Sequence, residues 1–251
     1  GALILIIIFV PETRPAGGIR LRPEDRPENL PEAERAEAGS LRTALWKRPV
    51  VLLFAPLAFA AQLVYAQHAF TIPIHLGRLF GEGGAQRFGM VMSVNAVVVL
   101  IATTFVLHVF GKRRALSNMG LAAVLYAAGF GMLSLVRTFP LFLASVAIWS
   151  IGEILIFTNA SVFVANHTPV NYRGRFNGLL SLMFGLGFTL APLLSGQLVG
   201  PVGLDVFWSF VGLFALIIAA LFFLLSSFDR ARSLRAGQSA GPSADPAAGS
   251  V

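Results

Sequence analysis

FPLFLASVAIWSIGEILIFTNASVFVA, residues 139–165, carries a single ionisable side chain, Glu153. Wound as an α-helix at 1.5 Å per residue it is about 40 Å long, enough to cross ~30 Å of hydrocarbon. Runs of the same character occupy residues 50–71, 88–110, 115–136, 176–199 and 204–227. Of the 251 residues, 56% are hydrophobic and 12% charged, and the mean hydropathy is +0.75. A soluble domain carries about 25% charged residues. So much apolar surface is stable only with lipid as its solvent, which predicts an all-α membrane protein with six transmembrane helices.

The segments outside these runs differ in composition. Residues 1–10 are apolar and end at Pro11. No basic stretch precedes them, no small-residue cleavage site follows, and ten residues do not span a bilayer. They read as the end of a truncated transmembrane helix. Residues 11–49, rich in Pro, Glu and Arg, read as a cytoplasmic linker closing on a short interfacial helix with Trp46 at headgroup level. Residues 50–228 form the six-helix bundle, and residues 229–251 a disordered cytoplasmic tail.

Charge gives the orientation. All of the 19 Lys and Arg except Arg78, Arg87 and Arg137 fall on one side of the runs: in residues 14–48, in the turns at 112–114 and 173–175, and after the last run. Basic residues resist translocation, so this side is cytoplasmic and both ends of the bundle lie inside. Their place in turns, rather than on one soluble face, also argues against nucleic acid as the partner of a chain with net charge +7. The implied location is a plasma membrane, the bacterial inner membrane.

Small residues at helical spacing mark places where helix backbones can approach in lipid. Gly120, Ala123, Ala127 and Gly131 form one stripe, and Gly174, Gly178, Ser181 and Gly185 another. Pro56, Pro73 and Pro192 each remove a backbone hydrogen bond and permit a kink.

Glu153 lies roughly 20 Å along its helix, near the bilayer midplane. An acid there needs a proton, a cationic partner or a wet cavity, and such residues usually mark a transport path. Trp149, Phe157 and Ala160 share its face, which suits an amphipathic cation through charge and cation–π contact. The first run carries Gln62, Tyr65 and His68 in line, with Gln67 beside them. Ser93 and Asn95 in the second run and Asn159 in the fourth act either as solute ligands or as interhelical hydrogen-bond glue. There is no cysteine, no HExxH, GxSxG or P-loop motif, and no metal-ligand spacing among the four histidines. The sequence therefore predicts no enzyme, cofactor or metal. No ring-forming filter sequence is visible, so a channel ranks last.

Several segments resemble the major facilitator superfamily. Gly111-Lys112-Arg113-Arg114 is similar to the basic end of its signature loop, and His108 stands about where that loop usually has an acid. Pro169 followed by Arg173-Gly174-Arg175 resembles a second conserved loop. The Gly-rich run at residues 185–196 and the Val10-Pro11-Glu12-Thr13-Arg14 segment fit the same plan. Residues 80–95 resemble the drug–proton antiporter branch. The resemblance implies a twelve-helix transporter of two pseudo-symmetric halves, with a solute site between them at the midplane. This chain would be the C-terminal half, its partners being the bilayer, a small solute, protons and the missing N-terminal half. The implied function is proton-coupled export of small amphipathic molecules by alternating access, with Glu153, Gln62, Tyr65, Trp149, Asn159 and Asn95 near the solute. A non-transporting accessory subunit, or a uniporter or symporter of another solute, are the alternatives.

Overall fold

The computed structural model describes residues 48–239. The expectations for residues 1–47, including the interfacial helix at Trp46, and for residues beyond 239 lie outside them. The described chain is helical throughout: α1 (Pro49–Tyr65), α2 (Gln67–Phe80), α3 (Gly84–Phe110), α4 (Ala115–Gly131), α5 (Phe139–His167) and α6 (Arg173–Ser239), with short 3-10 turns at Gly81–Gly83 and Met132–Ser134. Four continuous helical stretches are long and apolar enough to cross a membrane: Pro49–Phe110, Ala115–Ser134, Phe139–His167 and Arg173–Arg235.

Local chemistry sets the ends and breaks. Pro49 opens α1, where its missing N–H and fixed φ are tolerated. Thr168 ends α5 in an extended conformation because Pro169 follows and excludes the helical region. Gly81, at φ 56°, closes α2. Inside α6, Gly203 adopts φ 78°, ψ 164°, a region open almost only to glycine, and Pro201 just before it lacks the N–H that would continue the ladder. The helix axis therefore restarts at Leu204. α6 then runs past Ser227 to Ser239, where the sequence predicted an unstructured tail. The Arg, Ala and Leu residues there are strong helix formers, and Gly237 is the first breaker met.

Between α1 and α2 the backbone tightens at Ala66. The Ala69 N–H donates to Ala66 O, three residues back, at 3.2 Å. Two side chains take up carbonyls at this break: Gln67 Nε2 donates to Leu63 O at 3.1 Å, and His68 Nδ1 lies 2.7 Å from Tyr65 O. Pro56, Pro73 and Pro192 all remain inside helices, and the backbone leaves the helical region at Gly81 and Gly203.

α4 is the central element, packed against α5 and α6. Its small-residue stripe makes the contact. A Cβ on Gly212 would fall 2.8 Å from the Gly131 Cα, and one on Gly120 would meet the Phe223 ring at 2.9 Å. Glycines also seat α4 on α5: a Cβ on Gly152 would come within 2.9 Å of Ala122 O. The second predicted stripe behaves differently. Gly174, Gly178, Ser181 and Gly185 are exposed, and a Cβ on any of the three glycines would meet nothing within 4 Å. The close approach on that part of α6 falls at Gly187, which faces Gln62 and Phe59 of α1.

Candidate functional site

Three helices converge on Glu153. From α1, the Tyr65 hydroxyl donates to Glu153 Oε1 at 2.7 Å. From α3, Asn95 Nδ2 donates to Glu153 Oε2 at 2.7 Å and lies 2.9 Å from Ser150 Oγ. Ser150, one turn before Glu153 on α5, in turn donates to Val146 O at 2.7 Å. Each carboxylate oxygen thus receives a neutral donor from a different helix. Such bonds offset part of the cost of removing a carboxylate from water without cancelling its charge. No Lys, Arg or His forms an ion pair with Glu153 among the described residues.

Aromatic rings wall the acid. Tyr65 contacts His68 (4.3 Å between centroids), Phe157 (5.5 Å), Tyr126 (5.9 Å) and Trp149 (6.1 Å). Trp149 is fully buried, stacked between His68 and Phe130 at 5.5 Å each. Phe157 continues the wall to Phe184 on α6 at 5.3 Å. Glu153 itself is half-buried and Phe157 is 38% exposed, so the group opens on one side.

A family model described as the Major Facilitator Superfamily matches residues 1–182 and, again, 119–248. The chain belongs to the major facilitator superfamily. Among relatives it is 25% identical over 142 residues to "Uncharacterized MFS-type transporter YttB" of Bacillus subtilis (strain 168), covering 56% of this chain and 34% of that protein. It is 27% identical over 146 residues to "Uncharacterized MFS-type transporter YqjV" of the same organism, covering 57% and 34%. A "Na(+), Li(+), K(+)/H(+) antiporter" of Planococcus maritimus is 21% identical over 160 residues, covering 59% and 38%. The chain spans about a third of the length of these curated relatives.

Within this superfamily chain, the residues singled out from sequence fall into separate groups. Glu153, Tyr65, Asn95 and Trp149 come together. Gln62 is buried one turn before Tyr65, where its Cβ and Cγ meet Gly187, and its Oε1 has no hydrogen-bond partner among the described residues. Asn159 lies elsewhere. Its Oδ1 accepts from Asn118 Nδ2 at 2.9 Å, and Asn118 also donates to Phe110 O, which ties α5 to the turn between α3 and α4.

The basic turns lie at one end of the bundle, whereas Glu153 stands midway along α5. His108 is exposed in the last turn of α3. Gly111 donates its N–H to Leu107 O, and a Cβ there would lie 2.5 Å from that oxygen, so only glycine fits without a shift. Lys112 is exposed, Arg113 covers the Phe110 ring at 5.1 Å, and Arg114 lies 3.8 Å from Asp229. Arg173 opens α6 half-buried, Gly174 stands in open space, and Arg175 covers the Tyr172 ring at 5.4 Å.

Two groups escaped sequence reasoning. Asp229 gathers Arg114 and His167 Nε2 (3.2 Å), while Arg48 donates to His167 O at 3.0 Å. Asp229 was absorbed into the predicted tail, although it is the one acid beside Arg230 and Arg232. At the opposite end, the Trp208 indole N–H donates to His75 Nδ1 at 3.0 Å. Nothing local in the sequence links residues 133 positions apart.

Proposed function

We propose that this chain is part of a secondary active transporter that works by alternating access and exports small amphipathic molecules in exchange for protons. The observation that carries the reading is Glu153: a mid-helix carboxyl group held by two neutral donors from two other helices, beside an aromatic wall and without a cationic partner among the described residues. Its charge stays available to a proton or to a cationic group, and the aromatic faces favour the apolar body of an amphipathic cation.

The reading takes the bundle as six crossings. The stretches Pro49–Phe110 and Arg173–Arg235 contain 62 and 63 residues. At 1.5 Å per residue each is about 90 Å long, roughly three times the hydrocarbon thickness, and each holds a break, at Gly81–Gly83 and at Gly203. Two passes from each, with α4 and α5, make six. In this reading the basic turns and both ends of the bundle are cytoplasmic, the lipid bilayer surrounds the helices, and an N-terminal half completes the cleft.

Flux of a fluorescent cationic dye in proteoliposomes, driven by an imposed pH gradient, tests it. Gradient-driven dye movement by the complete transporter is expected, with Glu153→Gln lowering it at least tenfold. Unchanged flux in the variant would remove Glu153 from the coupling role.

A second reading, exchange of a monovalent metal cation for protons, is favoured by the name of the Planococcus maritimus relative. Sodium-driven alkalinisation or acidification of the same vesicles, with no dye transport, would select it over the first.

A further inference from the structure

A cavity of about 370 Å³ lies at the end of the bundle away from the basic turns, lined by His75, Arg78, Arg137, Asp205 and the backbone around Gly203 and Leu204. None of these residues belongs to the Glu153 cluster. The volume falls within the range of small-molecule sites, roughly 300–1,000 Å³.

The donors in it are unevenly used. His75 is 2% exposed, and its Nδ1 accepts the Trp208 indole N–H. Indole nitrogen only donates, so the imidazole proton sits on Nε2, which has no hydrogen-bond partner among the described residues. Arg78 is exposed and makes no hydrogen bond or ion pair among the described residues. Arg137 is committed: its Nη2 lies 2.7 Å from Asp205 Oδ2, and its Nη1 donates to Ser134 O and Val136 O at 3.0 Å each. Asp205 is thereby neutralised, and the guanidinium of Arg78 is the charge left over. The cavity also receives the first turn of the helix that restarts after Gly203, whose N–H groups and dipole favour an anion.

We propose that this cavity binds a small oxyanion, a carboxylate or phosphate group, held by His75 Nε2–H, Arg78 and the helix turn after Gly203. The group can belong to a free solute or to an anionic lipid headgroup. An imidazole N–H with no acceptor and a guanidinium with no carboxylate partner among the described residues line one space with a helix start, and all three call for the same chemistry.

Tryptophan emission offers the test, because Trp208 touches His75 directly. The full chain in nanodiscs of phosphatidylcholine is titrated with inorganic phosphate, with choline chloride at matched ionic strength as control. A saturable change with phosphate alone is expected. Arg78→Gln weakens it about tenfold, the loss of one charge-assisted contact, and Arg78→Lys retains most of it. Arg78 is exposed, so both variants keep the fold, which circular dichroism checks. Glu153→Gln leaves the titration unchanged, which separates this site from the transport reading. Repeating it in phosphatidylglycerol nanodiscs assigns the source. A phosphate midpoint moved to higher concentration means the headgroup occupies the site, and an unmoved one means a soluble anion does. No saturation, an equal response to choline chloride, or full affinity in Arg78→Gln overturns the proposal.

Discussion

Tyr65 and Glu153, 88 positions apart, are joined by a 2.7 Å hydrogen bond from the phenol O–H to the carboxylate Oε1. Ala66, the residue after Tyr65, keeps a helical conformation at φ −61°, ψ −15°, and Gly187 lets α1 lie close to α6. The bond ties the first helix to the acid of the fourth long stretch of apolar sequence, so α1 and α5 cannot move independently while it is made.

Tyr65→Phe removes that donor and keeps the ring. A hydrogen bond to a charged group contributes about 1.5–3 kcal/mol. The variant is expected to unfold at lower temperature in detergent and to lose transport several-fold, while Phe157→Leu, on the open side of the wall, loses transport with little change in stability. Differential scanning fluorimetry and the flux assay read the two effects separately.

Gly212→Ala places a methyl 2.8 Å from the Gly131 Cα and forces α4 and α6 apart. A destabilisation of about 1–3 kcal/mol is expected from such overpacking. Gly178→Ala, with nothing within 4 Å of its new methyl, is expected to change stability by less than about 0.5 kcal/mol. Reversible unfolding of both variants in mixed micelles checks the contrast.

Gly203→Ala puts a Cβ on a residue at φ 78°, ψ 164°. Strain of about 1–3 kcal/mol is expected there. Because open space surrounds Gly203, the loss reports backbone strain alone, and Gly196→Ala, equally open but without a positive φ, serves as the control. Thermal midpoints of the two proteins side by side decide it.

Asp229→Asn removes the partner of Arg114 and His167 at the basic end of the bundle. The Arg114 contact is 3.8 Å long and its side chain is 48% exposed, so water screens it. A loss of under about 1 kcal/mol is expected, shrinking further at 1 M salt. A larger, salt-independent loss in urea or SDS titration would mean that the cluster is better shielded than its exposure indicates.

The helical runs were legible from sequence because lipid demands a simple pattern: long apolar stretches whose backbone polar groups are satisfied internally. Pro56, Pro73 and Pro192, read as lying in or at the end of helices, all fall inside them, Pro73 beyond the end of the run at 50–71. The break in α6 was legible as well, since Gly200-Pro201-Val202-Gly203 separates the runs 176–199 and 204–227, whereas the turn at Ala66 carries no breaker signal of its own. The exposed Gly174–Gly178–Gly185 stripe and the buried Gly120–Gly131 stripe look alike in sequence, since spacing shows a smooth face and not what lies across from it.

The candidate site shows the same division. Glu153 stood out as a lone acid in an apolar run, and Tyr65 and Asn95 as polar residues in two others. Asn159 looked equal to them, yet it bonds Asn118 instead, because six residues along an α-helix turn its side chain to another neighbour and raise it about 9 Å. His75 meeting Trp208, and Asp229 meeting His167, were invisible.

Sequence alone determined the solvent, the helical state and the positions of the rare charges, because hydrophobicity and helix geometry act locally along the chain. The tertiary structure decided which polar groups share a hydrogen bond and which glycines carry a neighbour. Those depend on how helices distant in sequence rotate and cross, and a 2.7 Å contact is lost by a turn of a few tens of degrees.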